Sequence, residues 1–338
     1  MTANIDVILI DANSLGYTAM YQPNLAALSH NGMPTAAIHG LPSFLFSRLK
    51  SFRDALPVVL WDGRAEWRYN LFRDYKSNRN DTPEKVEIRA KYRAQVPHIQ
   101  RLLMHLGVPQ LRHPDLEADD LAGLLLQNMP EDMHVELFTK DTDWWQGLSE
   151  KVHWFSPFSK KTVTLEFLAN PDNELKDGYF LSVDEYLKCK ALAGDASDTI
   201  PGINKVGLIT AAKYIREFGS METYWNRVDS GEKFNGKILE TLASHEARAI
   251  YYRNLELMDW KKAPKYANSD MALTCMTPCL EDFNALCEEY GLKQIEYAAK
   301  IFIENREKWI GKLPYITAQL TGSRRPILEN TAFSRMKG

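Results

Sequence analysis

Short apolar runs that end in an acid recur through the first half of the chain. The runs IDVILIDAN at 5–13 and LPVVLWDG at 56–63 are rich in β-branched residues, the pattern of strands buried on both faces. MHVELFTKDTDW at 133–144 predicts a third strand and KVHWFSPF at 151–158 a fourth. Between them, residues 35–55 repeat apolar positions at helical spacing. A second helix opens with Thr82 as N-cap and Pro83 at the first helical position, and runs to near Gly107. LEADDLAGLLLQN at 116–128 predicts another helix with acids in its first turn. Strands alternating with helices imply an α/β fold with a mostly parallel sheet flanked by helices. From about 180 onward the pattern turns helical, and no internal repeat or low-complexity linker interrupts it.

A length of 338 residues suggests two lobes, or one large domain with an appendage. Apolar content of 45% and charged content of 25% are those of a globular chain, and no run approaches the ~20 apolar residues of a membrane span. The N-terminus lacks a basic region before its apolar run, so it reads as a first strand and not a signal peptide, with a cytoplasmic location expected. Cys189, Cys275, Cys279 and Cys287 show no zinc-like spacing and read as structural or incidental thiols. The net charge of −3 hides an uneven distribution: residues 64–101 hold ten Lys or Arg against five Asp or Glu. The tail from Arg306 onward, with Lys308, Lys312, Arg324, Arg325, Arg335 and Lys337, is also basic.

The acids gather where a parallel sheet places its functional edge, at the carboxyl ends of strands. Asp11 and Asp62 end the first two strands, Asp141 and Asp143 follow the third, and Glu117, Asp119 and Asp120 open a helix. Asp195 and Asp198 precede a Pro-Gly turn. Each acid alone has a bland use as a turn residue or helix cap. Crowded together they would repel, and divalent cations remove that cost; an all-oxygen set favours Mg²⁺ or Mn²⁺.

The motifs LIDAN, WDG, YKSNR, EADD, KDTDWWQ and GDASDTIPGINKVG occur in an order that resembles the structure-specific 5′-nucleases, the flap endonucleases and phage or bacterial 5′–3′ exonucleases. The match spans about residues 5–220, and its GDASDTIPG form points to the phage and bacterial branch and so to a bacterial or phage-infected cell. The resemblance implies a PIN-like catalytic domain over 1–180, with a helical arch about 64–107. It implies a helical DNA-binding lobe over 181–338, with a helix–turn–helix hairpin about 198–219 and a basic tail. Asp11, Asp62, Glu117 and Asp119 would hold a first metal ion, with Asp120 nearby or acting through water. Asp141, Asp143, Asp195 and Asp198 would form the second group of a two-metal phosphodiester hydrolase. A K⁺ ion at the hairpin is carried over in the same way.

YKSNR supplies the cations such a site needs. Lys76 and Arg79, three apart on a helix, would share a face and donate to the scissile phosphate, and Tyr75 would offer a stacking face to an unpaired base. Arg64, Arg68, Arg73, Arg89 and Arg93 are candidate phosphate contacts. At the hairpin, Gly202 and Gly207 would admit a phosphate to backbone amides, with Lys205 and Lys213 alongside. The expected partners are DNA with 5′ ends or flaps, duplex DNA, RNA–DNA hybrid and replication proteins, with no membrane. A PIN-type ribonuclease and a nuclease-dead structure-specific DNA-binding protein are the alternatives.

Overall fold

A computed structural model describes residues 4–80, 82–173, 175, 178–263, 270–292 and 295–321. The first apolar run forms β1 (Val7–Asp11), with all five residues buried. Asp11 ends the strand and at once caps α1 (Ala12–Tyr21), its carboxylate accepting from the Ser14 amide at 2.8 Å. That helix was not expected, because its start lies inside the strand's own apolar run. There follow α2 (Ala36–Leu49) and the wholly buried β2 (Leu56–Trp61). The helix expected from Thr82-Pro83 is α3 (Pro83–His105), with the Thr82 side chain accepting from the Lys85 amide.

Next come β3 (Gln110–Arg112), α4 (Ala118–Leu126), β4 (Val135–Phe138), β5 (Val152–Phe155) and β6 (Thr162–Val163). One further strand, β7 (Ala272–Thr274), joins the same sheet from far along the chain. The order is β7-β3-β2-β1-β4-β5-β6. The five central strands run parallel and the two edge strands are antiparallel. The chain steps outward from β1 to β2 and β3, then crosses back to β4. The direction of winding therefore reverses at β1, the place where open α/β sheets form a crevice.

The helical part begins with α5 (Val183–Ala193) and α6 (Leu208–Phe218), and α7 (His245–Met258) packs against α5. Asp195 and Asp198 lie within the connection between α5 and α6. The expected hairpin at 198–219 therefore covers only the second helix of a longer helix–loop–helix, whose first helix is α5. Nor does all of 181–338 form one helical lobe. After α7 the chain returns to the sheet: β7 pairs with β3, α8 (Leu280–Tyr290) packs on α3, and α9 (Glu296–Glu304) packs on α2. Lys308 and Lys312 pair with Asp54 and Asp6 beneath the sheet, at 3.7 and 3.1 Å. The remaining basic tail residues, Arg324, Arg325, Arg335 and Lys337, lie outside the described residues.

No helix among the described residues is long and apolar enough to cross a membrane. Trp225, Trp260 and Trp309 are buried in the core, as are Cys189, Cys275 and Cys287.

Candidate active site

A cleft of about 1110 Å³ opens at the carboxyl edge of β1, β2 and β4. Asp11, Asp62, Glu117, Asp119, Asp141, Asp143 and Asp198 line it, together with Lys76, Arg79, Lys85, Arg89 and Arg93 from the 75–93 segment. Seven of the nine expected acids thus reach one basin, brought from five separate segments. Local hydrogen bonds explain several of these placements. Asp62 follows β2 and accepts from the Ala118 amide at 2.8 Å and from Asn13 Nδ2 at 2.6 Å, which ties β2 to α1 and to the start of α4. Gly63 permits this tie: a Cβ there would stand 2.1 Å from the His113 carbonyl oxygen. Asp141 accepts from the Asp143 amide at 3.0 Å and so starts a short 3₁₀ helix, Thr142–Gly147. Asp195 accepts from the Ser197 amide at 2.7 Å. The turn-forming use of these acids therefore coexists with their convergence, because a carboxylate has acceptor sites to spare.

Three expectations are corrected, those for Arg68 and Tyr75 by burial and that for Gly202 by close packing. Arg68 is only 1% exposed. Its guanidinium donates to both Asp120 oxygens at 2.6 and 2.7 Å, to Glu117 at 3.0 Å and to the Leu257 carbonyl at 3.0 Å, so it is a counter-ion and not a phosphate contact. Asp120 is committed to Arg68 and to the Glu117 amide, at 2.9 Å, and does not line the cleft. Tyr75 is 3% exposed, so its ring cannot stack on a base; its hydroxyl donates to Glu117 at 2.7 Å, with an Asp198 oxygen 3.1 Å away. Gly202 faces inward: a Cβ would lie 1.9 Å from the Ala193 carbonyl oxygen. It serves the close pairing of 194–195 with 200–201 and not the approach of a phosphate. Gly207 has open space around it at the start of α6. Lys205 and Lys213 are exposed on the helix–loop–helix. Arg73 is exposed but does not line the cleft, whereas Arg64 does, paired with Glu66 at 2.5 Å.

Lys76 and Arg79 do not share a helix face. Lys76 is in the left-handed region (φ 55°), and the 3₁₀ turn Ser77–Asn80 follows it. Both still meet Asp198, at 3.4 and 3.5 Å, and Lys76 Nζ lies 2.6 Å from Glu117. The turn is stitched to the acid-bearing loop through Lys76 N to Asp198 O (2.8 Å) and Asn78 Nδ2 to Ala196 O (2.7 Å).

Sequence reasoning missed Lys190. From α5 its ammonium reaches Asp143 at 2.7 Å and Asp195 at 2.6 Å. It also gave Asn254 no role, yet that buried amide donates to the Ala191 and Pro201 carbonyls and so pins both ends of the acid-bearing loop. A lysine and an asparagine on helices carry no local signal; only the fold brings them to the loop.

The electrostatics divide the acids into two kinds. Burial, then the neighbouring Asp62, pushes the Asp11 carboxyl up to about 7. Burial and Asp143 push Asp141 well above the carboxylate range. Burial would raise Glu117 too, but Lys76 and Arg68 overcome it and hold that carboxyl at about 2. Lys190 likewise outweighs burial at Asp195 and keeps it low. Among the described residues no three carboxylate, histidine or cysteine side chains stand close enough to hold a metal ion as they are. Lysines stand between several of them. The donor set is nonetheless all oxygen, and the raised Asp11 and Asp141 mark a cost of burial and of mutual repulsion that a divalent ion relieves, so the residues fit such an ion in chemistry.

A parallel sheet with an acid-lined crevice at its reversal point, joined to a helix–loop–helix, is the frame of a hydrolytic nuclease, as two family models show. The family model for the 5′–3′ exonuclease N-terminal resolvase-like domain matches residues 6–172, and that for the 5′–3′ exonuclease C-terminal SAM fold matches 181–275. The chain belongs to the 5′–3′ exonuclease family, a family of hydrolytic nucleases. It is 31% identical over 303 residues to DNA polymerase I of Streptococcus pneumoniae, covering 87% of this chain and 33% of that protein. It is 31% identical over 245 residues to DNA polymerase I of Bacillus subtilis, covering 71% and 27%. The chain thus spans about a third of the length of these curated relatives. In fold it is similar to the T5 5′-exonuclease solved with zinc bound (TM-score 0.63, 22% identity, 88% of this chain and 98% of that one). It is also similar to flap endonuclease-1 from Methanococcus jannaschii (TM-score 0.57, 16% identity, 91% and 94%).

Proposed function

We propose that the chain is a divalent-metal-dependent 5′-nuclease acting on DNA, as a 5′–3′ exonuclease, a 5′-flap endonuclease or both. The observation that carries this reading is the convergence of seven acids from five segments on one cleft that Lys76, Arg79, Lys85, Arg89 and Arg93 also line. The bacteriophage T5 D15 flap endonuclease, solved in a complex with DNA and metal ions and similar in fold, agrees with it.

Asp11, Asp62, Glu117 and Asp119 would hold one Mg²⁺ or Mn²⁺, and Asp141, Asp143, Asp195 and Asp198 a second. When bound, such ions lower the pKa of water and neutralise charge on a phosphodiester in flight. The chain's own residues supply the rest. Arg79, with 37% of its side chain exposed, is the group best placed to meet the phosphate; Lys76, at 7%, is held by Glu117 and acts closer to the acids. Arg89 and Arg93 on α3 line the path of the backbone, and Gly207 with Lys205 and Lys213 offers a second grip on duplex. Contacts of this type read phosphate and not base edges, so selectivity follows the shape of the substrate, and affinity falls steeply with salt. RNA in a hybrid would fit the same contacts. A K⁺ ion at the helix–loop–helix belongs to the same reading.

The deciding experiment compares a 5′-labelled flap, a blunt duplex, single-stranded DNA and single-stranded RNA, in Mg²⁺ or EDTA. Mg²⁺-dependent cleavage at the flap junction supports the endonuclease form, and mononucleotides from blunt duplex the exonuclease form. Asp62→Ala and Asp141→Ala should abolish cleavage and leave flap binding intact. Preference for RNA would favour a PIN-type ribonuclease. Binding without cleavage in any metal would favour a nuclease-dead structure-specific DNA-binding protein.

A further inference from the structure

We propose that Lys190 is a built-in counter-ion for the second group of acids, and that a divalent ion binds there by displacing its ammonium from Asp143 and Asp195. The inference rests on the reading of these acids as metal ligands. Its basis is a contrast between two of the cations that the acids hold, Arg68 and Lys190. Arg68 is held on all sides, by Asp120, Glu117 and a backbone carbonyl, and its side chain is 1% exposed. It cannot leave without stranding several charges, and it belongs to the permanent fold. Lys190 is held at Nζ by Asp143 and Asp195, and its side chain is 12% exposed, as against 21% and 11% for those acids.

An ammonium on a four-carbon stem is a compact charge that can swing away while its helix stays in place. Asp143 and Asp195 come from different segments, one after β4 and one after α5, and the ammonium between them is what allows two carboxylates to stand so near each other without a metal. A divalent ion placed among Asp141, Asp143, Asp195 and Asp198 would carry twice that charge to the same oxygens. The two cations therefore compete for one place. The consequence is a difference in affinity between the two groups of acids. The second group has to release Lys190 before it closes on an ion, so it fills at higher metal concentration than the first.

The test is Mn²⁺ binding to the full chain at pH 8 without DNA, followed by the electron paramagnetic resonance of free Mn²⁺. The wild type is expected to show two classes of site. Lys190→Met, which keeps length and removes charge, should tighten the weaker class about tenfold, within the usual range for coupled ligands, and leave the stronger class as it was. Lys190→Arg should keep the weaker class weak. A weaker class that is unchanged or further weakened in Lys190→Met overturns the proposal while leaving the metal reading standing. No Mn²⁺ bound by any of the proteins overturns both. Should the methionine variant fail to fold, reductive methylation of the wild type decides the matter. Mn²⁺ should raise labelling of Lys190 several-fold, and labelling that stays equal or falls refutes displacement.

Discussion

Asp11 shows how far a single side chain's state depends on its surroundings. Its carboxyl stands at about 7 in the folded protein against an ordinary 3.8. Between those values the folded chain holds a proton that the unfolded chain has lost. The metal-free protein therefore loses stability as pH rises through this window, by at most about 1.4 kcal/mol per pH unit for one proton. Glu117 works in the opposite sense: with its carboxyl at about 2, it contributes stability above about 4.5 that disappears as pH falls toward 2. In EDTA, Asp11→Asn should melt higher than the wild type by a margin that grows from pH 5 to pH 7.5. Melting curves with a constant margin would count against the raised carboxyl. Arg68 makes a second test at this scale. Arg68→Met leaves Glu117 and Asp120 buried without their guanidinium and should cost roughly 3–5 kcal/mol in urea unfolding. Arg89→Ala should change stability by less than about 0.5 kcal/mol, yet weaken DNA binding and lower its salt slope by about one. The two arginines are alike in the sequence, and only burial separates them.

At the scale of elements, the loop between α5 and α6 joins the acids to the helix expected to meet duplex. Its two glycines give opposite expectations. Gly202→Ala drives a methyl group against the Ala193 carbonyl, so it should shift the 194–201 loop, lower stability and abolish cleavage. Gly207→Ala meets nothing within 4 Å and has an ordinary φ of −91°, so the fold should be untouched. If a phosphate approaches the backbone there, duplex affinity should still fall, as a filter-binding titration would reveal; unchanged affinity would remove Gly207 from the interface. The buried strands, the Thr82-Pro83 helix and the acids at strand ends were legible in the sequence because period and capping are local. The helix α1 was not, because the residue that ends β1 also caps it. Nor was the first half of the helix–loop–helix, whose α5 has no motif of its own.

At the scale of the whole molecule, the chain closes on itself. β7 covers the edge of β3, α8 braces α3 through a hydrogen bond between Tyr290 and His98 at 2.9 Å, and Lys312 fastens the C-terminal helices to Asp6. A chain ended after residue 270 would expose the β3 edge and the apolar face of α3. It should be insoluble or melt well below the full chain by circular dichroism, even though every acid and every cation of the cleft is retained. A truncated chain with an unchanged melting temperature would show that the C-terminal wrap is dispensable.

What the sequence determined by itself was the set of strands, the order of the motifs, the acids and the family they resemble, since all of these are written in short stretches of chain. What only the tertiary structure decided was the fate of each charged group. Arg68, Asp120 and Tyr75 went into the fold, Arg79 and Arg89 went to the cleft, and Lys190 came to stand between two acids. The physical reason is that charge acts through space and burial. Both depend on neighbours brought from distant parts of the chain, and no window of sequence contains them.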